Sequence, residues 1–506
     1  MSRPGLTAVA RTLLVLGAGG AVLGASTLTE RTVTLGSPPD ADAESRIALT
    51  ATTLTCPGPE LTGVTGVDDV VTSPLVTADT APASVIAAAE VTPRGTAGLR
   101  IVPLVDVGHA SPPDGRISTA KAGEIAWRTT VSGPLAVVGQ GSRGVGVVGA
   151  QESLVTDSRA EAHGIRGLVS TTCMDPTADA WLAGGGSGAG RQERLLLVNA
   201  GANPATAEVV LHGSDGPVDT AGGKVVTVPA HGRAALLLDA LAPDEKSPVV
   251  QISARSGLVG ATLVDTWVDG VTPRGLDASG PAAVPALRQL IPAVAGPGAA
   301  VVRVAATGTT DAVAQVRLIT RQGRVPLSGG SGILKVPAGA TRDVAIPALP
   351  KDVVGVEVVA DQPVVAAAMS SRSTGDGITD FGWSVSVPAL RAAAGTTFRP
   401  LAVGDTAATR TLSLLASGGR AEADITLVDA DGVPRTTRVR LASDTATTLD
   451  VSSATSVWVT PVTGGGQLRA GVVTSAGTGA DAVISVRSLV SARFAGRDLP
   501  VVQARQ

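Results

Sequence analysis

The chain of 506 residues carries 40 Lys and Arg against 43 Asp and Glu, a formal net charge of −3, and only 2% of its residues are aromatic. This length predicts three or four domains of roughly 100–200 residues each. Because there is no basic run and almost no aromatic surface on which bases could stack, the composition argues against nucleic-acid binding.

The first thirty residues predict an export segment. Arg3 and Arg11 precede an uncharged run, Thr12–Leu28, that ends at Glu30. The run is short for a membrane span but becomes long enough when it extends back towards residue 7, so residues 7–28 are expected to contact the membrane. Cleavage as a signal peptide remains the alternative to a membrane anchor.

The positive flank of this segment predicts where the rest of the chain is located. It keeps the N-terminus in the cytoplasm and places everything after the segment outside. The protein is therefore expected in the cell membrane with extracytoplasmic domains, or secreted. Residues 31–45 are polar and contain proline, and they are interpreted as a linker.

The first predicted β domain, residues 46–180, is the least regular part of the chain. Its apolar runs predict strands that include Ser84–Val91, Leu99–Val105 and Leu135–Val138. The long segment Cys56–Pro82 either holds another strand or lies across the surface.

Two cysteines, Cys56 and Cys173, lie at the edges of this domain, and the chain has no others. An exported protein with two cysteines most economically pairs them. The bridge would close a loop for which the chain-entropy estimate is roughly 4–5 kcal/mol. Two free thiols, or a metal site that adds His163, are the alternatives. Because the ligand spacing is not that of a metal site, we predict the Cys56–Cys173 disulfide and no metal.

A segment of the second domain, Leu195–Ala230, recurs twice further along the chain. An apolar run, a glycine turn, an alternating run and a second turn return in the same order, so that Val209, Val316 and Ile425 are equivalent and lie 107 and 109 residues apart. This spacing is too long for solenoid repeats and is typical of successive small domains. The predicted β domains are residues 46–180, 181–285, 286–395 and 396–506. In the third domain, Val354–Val359 and Val364–Ala368 are predicted as two separate strands.

The strand spacing predicts an all-β fold. About seven short strands per ~100 residues are typical of immunoglobulin-like or fibronectin-like β-sandwich domains, here in tandem after an N-terminal hydrophobic helix. The chain has no Tyr for a tyrosine corner, and no cysteine pair is expected to bridge the two sheets within a repeat. A β-propeller is the alternative, although its blades of ~40–45 residues are less than half of the observed period.

No motif predicts a catalytic, cofactor or metal site. Gly144–Gly149 matches the dinucleotide pattern but lacks the following helix, and Asp429–Gly432 begins like a calcium loop but lacks its closing acid; both are interpreted as hairpins. The histidines are scattered, and although a Ser-His-Asp site could assemble in space, no motif marks its serine. The four histidines are His109, His163, His212 and His231.

The chain resembles a known family. The resemblance rests on four segments: the export segment, TLTCPGPE at Thr53–Glu60, TTCMDPTADAWLAGG at Thr171–Gly185 and the RLLLVNAGANPA segment that follows. Together they are similar to the actinobacterial exported family called domain of unknown function 5719. The resemblance implies an exported or membrane-anchored envelope protein with no established activity and no catalytic residues to carry over.

These observations favour a non-enzymatic envelope protein that acts as a scaffold or accessory subunit in cell-wall or surface-glycan assembly. Its expected partners are other envelope proteins or cell-wall glycan, with no nucleic acid and no cofactor. An envelope glycan hydrolase and an adhesin or ligand-binding module are the alternatives. Two carboxylates ~5–10 Å apart in a cleft would favour the hydrolase.

Overall fold

The computed structural model describes residues 46–48, 51–61, 72, 74–88, 98–106, 119–121, 127–140, 145–155, 165–219, 224–327, 332–462, 464–495 and 498–500. Within these ranges the chain is all-β, with one six-residue helix and one 3₁₀ turn. No helix in the described part is long and apolar enough to span a membrane. The predicted export segment and linker, residues 1–45, lie outside the described residues.

Contacts divide the chain into two compact bodies. The larger comprises Ala48–Arg497, and the smaller comprises Met1–Ile47 with Asp498–Gln506. In the smaller body, strand β1 (Arg46–Ala48) pairs with strand β38 (Asp498–Pro500). Everything below concerns the larger body.

Repeat 1 contributes eight described strands and the helix. They are β2 (Ala51–Cys56), β3 (Leu75–Thr80), α1 (Ala83–Ala88), β4 (Gly98–Pro103), β5 (Thr119–Lys121), β6 (Trp127–Thr130), β7 (Leu135–Gln140), β8 (Val145–Val155) and β9 (Gly167–Thr172). One sheet has the order β2-β7-β4-β5, and the other has the order β6-β3-β8-β9.

Repeat 2 has the same plan. Its strands are β10 (Asp179–Ala183), β11 (Arg191–Asn199), β12 (Ala205–Gly213), β13 (Gly216–Pro217), β14 (Lys224–Val228), β15 (Gly232–Leu237), β16 (Val249–Ser256), β17 (Gly260–Asp269) and β18 (Thr272–Ser279). The sheets are β10-β16-β12-β14, to which the short β13 adds, and β15-β11-β17-β18.

Repeat 3 joins its two sheets through one long strand. Its strands are β19 (Ala286–Ile291), β20 (Ala300–Ala306), β21 (Ala312–Thr320), β22 (Arg324–Pro326), β23 (Ile333–Val336), β24 (Thr341–Ile346), β25 (Val353–Thr374) and β26 (Gly377–Val385). The first half of β25 pairs with β19 and β21, and its second half pairs with β20 and β26.

Repeat 4 ends the series, and one further strand follows it. The strands are β27 (Ala394–Thr397), β28 (Ala402–Val403), β29 (Thr406–Ala407), β30 (Thr409–Ser417), β31 (Ala421–Val428), β32 (Pro434–Leu441), β33 (Ala446–Asp450), β34 (Ser456–Val462), β35 (Gln467–Ala476), β36 (Val483–Leu489) and β37 (Phe494–Ala495). The main sheets are β27-β34-β31-β32 and β33-β30-β35-β36.

All four repeats therefore share one strand order. Setting aside the short extra strands, the first, sixth, third and fourth strands form one antiparallel sheet, and the fifth, second, seventh and eighth form the other. Apolar side chains from both sheets, such as Leu182, Leu195, Val209 and Leu263 in repeat 2, form the core between them. This arrangement of four plus four strands differs from the A-B-E-D and C-F-G order of immunoglobulin constant domains, so the immunoglobulin-like part of the prediction is not confirmed.

The predicted equivalence of the repeats agrees with the structure. Val209, Val316 and Ile425 lie in the third strands β12, β21 and β31, and each is at most 1% exposed. Their equal positions follow from the alternation of apolar and polar residues along these strands, which turns every second side chain into the core.

Two strand predictions were wrong. The predicted strand Ser84–Val91 is replaced by helix α1, which begins after Pro82 and turns the apolar Val85 and Ile86 inwards. The second strand of repeat 1 is instead β3, in the segment that sequence reasoning left open. The two strands predicted at Val354–Val359 and Val364–Ala368 are one continuous strand, β25.

The repeats form a closed ring. Successive repeats contact one another, and repeat 4 contacts repeat 1 through an apolar cluster that joins Val148 and Ile86 to Trp458 and Phe494. Strand β37, which follows repeat 4, pairs with β8 of repeat 1. Strand β37 thus closes the ring by joining the segment after repeat 4 to repeat 1.

Candidate functional site

The eighth strands of the repeats, β9, β18, β26 and β36, lie together in the middle of the ring. Each of these central strands contacts the central strands of the two neighbouring repeats. The approach is close: a Cβ on Gly167 would lie 2.6 Å from the backbone nitrogen of Leu276, and a Cβ on Gly275 would lie 2.6 Å from the Phe381 ring. Glycine is required at both positions because a side chain would separate the strands.

A single buried carboxyl group, that of Asp380, connects all four repeats. Its Oδ2 accepts hydrogen bonds from the backbone N–H of Leu168 in repeat 1 at 3.3 Å and of Ile484 in repeat 4 at 2.8 Å. Its Oδ1 accepts one from Leu276 in repeat 2 at 3.4 Å. Burial raises the pKa of Asp380 well above its usual value. The carboxyl group is fully buried, and both of its oxygens accept hydrogen bonds from the main chain.

A second buried carboxyl group, that of Asp277, lies beside it. It accepts the N–H of Trp383 at 2.5 Å and the hydroxyl of Ser485 at 2.8 Å. The backbone N–H of Ser170 in turn donates to the Ser485 Oγ at 3.1 Å. Burial raises the pKa of Asp277 well above its usual value. These contacts again join all four repeats.

A pocket opens at the carboxyl ends of the central strands and is the candidate ligand site. Its volume is about 90 Å³, and every repeat lines it. The walls are mainly apolar and include Trp383, Val387 and Val486, whereas Asp175 and Arg487 are the charged lining residues. An apolar concavity with a few polar groups is the usual form of a small-molecule site. We call it the axial pocket.

The guanidinium group of Arg487 is bound by other residues of the protein and does not point freely into the pocket. Its guanidinium group donates to Glu152 Oε1 at 3.0 Å and to Thr397 O at 3.1 Å, and it lies over the Phe398 ring at 5.1 Å. Burial lowers the pKa of Arg487 to about 10, so the group stays protonated at neutral pH. This ion pair joins repeat 1 to repeat 4.

Asp175 is the one carboxyl group among the described residues that line the axial pocket. It forms an ion pair with Arg493 at 3.3 Å, and its side chain is 22% exposed. Burial raises its pKa, and the nearby Arg493 opposes that shift. A glycosidase needs a second carboxyl group across the cleft, and none of the other lining residues supplies one.

Two further carboxyl groups face each other between repeats 2 and 3. Glu193 on β11 is directly opposite Asp265 on β17. Asp265 accepts Arg191 Nε at 2.8 Å and the indole N–H of Trp383 at 2.8 Å. Burial and the charge of Asp265 raise the pKa of Glu193 well above its usual value. Both side chains are at most 1% exposed, and Gly185 lies against Glu193 so closely that it has no room for a Cβ. A substrate has no access to this pair.

The predicted disulfide is confirmed. Cys56 at the end of β2 is bonded to Cys173, which follows β9, and their Cα atoms are 4.4 Å apart. The bridge therefore joins the two sheets of repeat 1, and no cysteine remains free. The expectation that no cysteine pair bridges the sheets within a repeat was wrong for this repeat.

The histidines do not come together in the described part of the chain. His212 Nδ1 is 2.9 Å from Gly339 O, and its ring lies 5.1 Å from Trp181. His231 occupies a turn with φ 49° and contacts Ala200 O. His109 and His163 lie outside the described residues. Within those residues no group of His, Cys, Asp and Glu could hold a metal ion.

Both predicted hairpin motifs lie in β structure. Gly146 and Gly149 lie in strand β8. Asp429 turns its Oδ1 back to accept the backbone N–H of Asp431 and of Val433 at 3.1 and 3.0 Å. That oxygen therefore stabilises the turn between β31 and β32.

A protein-family model described as "Family of unknown function (DUF5719)" matches residues 125–452. The chain belongs to this family. No curated protein matches it. Among similar solved structures is a crystal structure of Thermotoga maritima 1070, with 19% sequence identity and a TM-score of 0.19; the match covers 21% of this chain and 95% of that one. Another is a tetra-tandem repeat from the extending region of a large adhesion protein, with 11% identity and a TM-score of 0.09; the match covers 79% of this chain and 92% of that one.

The motifs of this DUF5719 protein contribute main-chain acceptors to buried arginines. In the CPGPE motif, Pro57 O and Pro59 O accept Arg233 Nη1 of repeat 2 at 2.7 and 2.8 Å, and the Arg233 side chain also binds Asp106 at 2.6 Å. Arginine suits this role because its planar fork can bind several oxygens while it stays charged. The motif is thus an interface between repeats 1 and 2.

The second DUF5719 motif is built in the same way. Gly184 O and Gly185 O, at the end of the WLAGG segment, accept Arg303 Nη1 of repeat 3 at 2.7 and 3.0 Å. Arg303 also pairs with Asp343 and lies over the Trp383 ring at 5.0 Å. Sequence reasoning missed Arg303 because it alternates with the core residues Val302 and Val304, a pattern that is typical of a solvent-exposed position on a half-buried strand.

Proposed function

We propose that this DUF5719 protein is a non-enzymatic scaffold or accessory subunit of the cell envelope that acts in cell-wall or surface-glycan assembly. The observation that carries the proposal is the use made of the buried charged groups. Asp380 binds main-chain donors of three other repeats, and Arg233 and Arg303 bind main-chain acceptors of the preceding repeat. These charged side chains stabilise the contacts between repeats and are not exposed to a substrate. We therefore expect the protein to act through binding at its outer surfaces.

The location is part of the same proposal. It is supported by the export segment that the sequence predicts in the first thirty residues and by the disulfide, because disulfides persist mainly outside the reducing cytoplasm. Fractionation of cells that express the full chain should recover it with the membrane or in the medium. Recovery in the cytoplasmic fraction with free thiols would overturn the envelope location.

We also propose a relation between the repeats and immunoglobulin- or fibronectin-like domains. The support is two antiparallel sheets around one core in about 100 residues. The relation is one of architecture, since the strand order differs.

A ligand-binding module is the second candidate, and the axial pocket favours it. A dry cavity of roughly 150 Å³ admits benzene, so the pocket, at about 90 Å³, suits a smaller apolar group or the end of a chain. An envelope glycan hydrolase, the third candidate, would use Asp175 if its substrate bound in the axial pocket, whereas Glu193 and Asp265 are sealed from solvent.

Complementation of a deletion strain tests the proposal. Asp175→Asn and His231→Ala should preserve function, because the ion pair of Asp175 with Arg493 is partly exposed and such pairs contribute little to stability, and the His231 ring contacts Ala200 of its own repeat. Protein abundance is measured in the same cells, so that degradation is not mistaken for loss of activity. If Asp175→Asn abolishes function while abundance and the melting temperature stay normal, the scaffold role is wrong and the hydrolase replaces it.

A further inference from the structure

Five arginines gather on the outer side of the ring where repeat 3 meets repeat 4. Three lie on strands of one sheet: Arg288 on β19, Arg317 on β21 and Arg324 on β22. Arg321 follows β21, and Arg469 lies on β35 of repeat 4. We call this group the arginine cleft.

Two carboxyl groups lie among these arginines. Glu357 is 1% exposed and pairs with Arg288 at 2.6 Å and with Arg324 at 2.8 Å, whereas Arg317 lies 4.0 Å away. Asp444 of repeat 4 pairs with Arg324 at 2.6 Å and with Arg288 at 3.4 Å. Both acids are therefore already shared between arginines.

The cleft carries an excess of positive charge in a chain that is slightly acidic overall. Arg321 and Arg469 have neutral partners: Arg321 donates to the Thr448 hydroxyl at 2.6 Å, and Arg469 donates to Val387 O at 2.9 Å. Burial and the neighbouring Arg288 lower the pKa of Arg469 to about 10, so it too is charged at neutral pH. Five guanidinium groups thus face two carboxylates.

The cleft is open to solvent and keeps donors available. The side chains of Arg288, Arg317 and Arg324 are 36%, 38% and 29% exposed. Within the described part of the chain, the Nη1 groups of Arg288 and Arg324 have no hydrogen-bond acceptor. Guanidinium groups bind carboxylate and phosphate oxygens in a bidentate manner. The free donors fit such oxyanions.

The spacing of the arginines indicates a ligand with several charges. The carboxyl group of Glu357 already occupies the space between the guanidinium groups of Arg288 and Arg317. The backbones of the strands that carry these two arginines lie on either side of β25, two strand spacings or about 10 Å apart, and Arg469 is supplied by another repeat. A chain that carries repeated anionic groups can contact several of these arginines at once.

The cleft lacks the platforms that single-stranded nucleic acids use. Stacking of bases requires exposed aromatic side chains, and in the described part of repeats 3 and 4 every aromatic residue is at most 2% exposed, namely Phe381, Trp383, Phe398, Trp458 and Phe494. The chain contains no Tyr. We propose that the arginine cleft binds an anionic polysaccharide through its carboxylate or phosphate groups. This binding does not depend on the scaffold role, since it is measured on the isolated protein.

Calorimetric titration of the full chain tests the proposal. Polygalacturonate supplies carboxylates, polyphosphate supplies phosphates, dextran is the neutral control and oligothymidylate represents nucleic acid. The variant is Arg317→Gln with Arg321→Gln, chosen because neither arginine is in close contact with a buried acid. The matched control is Arg435→Gln with Arg440→Gln, two exposed arginines on β32 that each pair with one acid.

Binding of at least one anionic polymer, absent with dextran, is expected and should weaken as salt rises. The cleft variant should bind at least about tenfold more weakly, since it loses two charge-assisted contacts, and the control variant should stay within about twofold. The comparison between polygalacturonate and polyphosphate identifies the anionic group. Absence of binding to both, an equal loss in the control variant, or equally tight binding of oligothymidylate would overturn the proposal.

Discussion

Removal of the Asp380 carboxyl group is the perturbation that most strongly probes the centre of the ring. In Asp380→Ala the backbone N–H groups of Leu168, Leu276 and Ile484 lose their acceptor in the interior. Each buried donor left unpaired costs about 1–3 kcal/mol. The gross cost of about 3–9 kcal/mol is partly offset because a buried carboxyl group no longer has to be desolvated. We expect a net loss of about 2–5 kcal/mol in the free energy of unfolding.

Urea unfolding followed by tryptophan fluorescence measures this loss. Asp380→Asn should cost less, because its remaining oxygen can still accept the two donors that Oδ2 accepts, Leu168 and Ile484. The control is Asp376→Ala, an exposed acid in the same hairpin, which should change stability by less than about 0.5 kcal/mol. A loss below about 1 kcal/mol for Asp380→Ala, or a loss equal to that of the control, would refute the reasoning.

Two further predictions concern the disulfide and pH. Replacement of Cys56 and Cys173 by Ser should lower the free energy of unfolding by roughly 4–5 kcal/mol, as measured by urea titration; a change below about 1 kcal/mol would contradict the chain-entropy argument. Burial raises the pKa of Asp239 from 3.8 to about 6, so its contribution to stability is present at acidic pH and is lost as the pH rises through that window. Asp239→Asn should therefore show a smaller fall in melting temperature over this window than the unsubstituted protein, and parallel profiles would be evidence against it.

The repeats could be predicted because their residue pattern is local, and the disulfide could be predicted because the chain has only two cysteines. Val209, Val316 and Ile425 recur at nearly equal spacing inside the same alternation, and two cysteines allow one pairing. Helix α1 could not be told from a strand because ASVIAA is short and apolar, and periodicity alone does not separate the two at that length.

The ring and its axial pocket could not be predicted because they depend on contacts between residues far apart in the chain. Leu168 and Asp380 are separated by 212 positions, and nothing near either residue indicates the other. Asp277 and Asp380 lie in strands that also carry Thr and Ser side chains, so neither residue stands out in the local sequence. A buried charge is costly unless it has partners, and here other repeats supply them.

Calorimetric unfolding of the full chain tests the central claim most directly, namely that the four repeats form one ring held by shared buried polar groups. If the repeats depend on one another through β9, β18, β26 and β36, the larger body should unfold in one transition whose calorimetric and van't Hoff enthalpies agree. Several separate transitions, each with the enthalpy expected for about 100 residues, would show that the repeats are independent domains and would contradict the account.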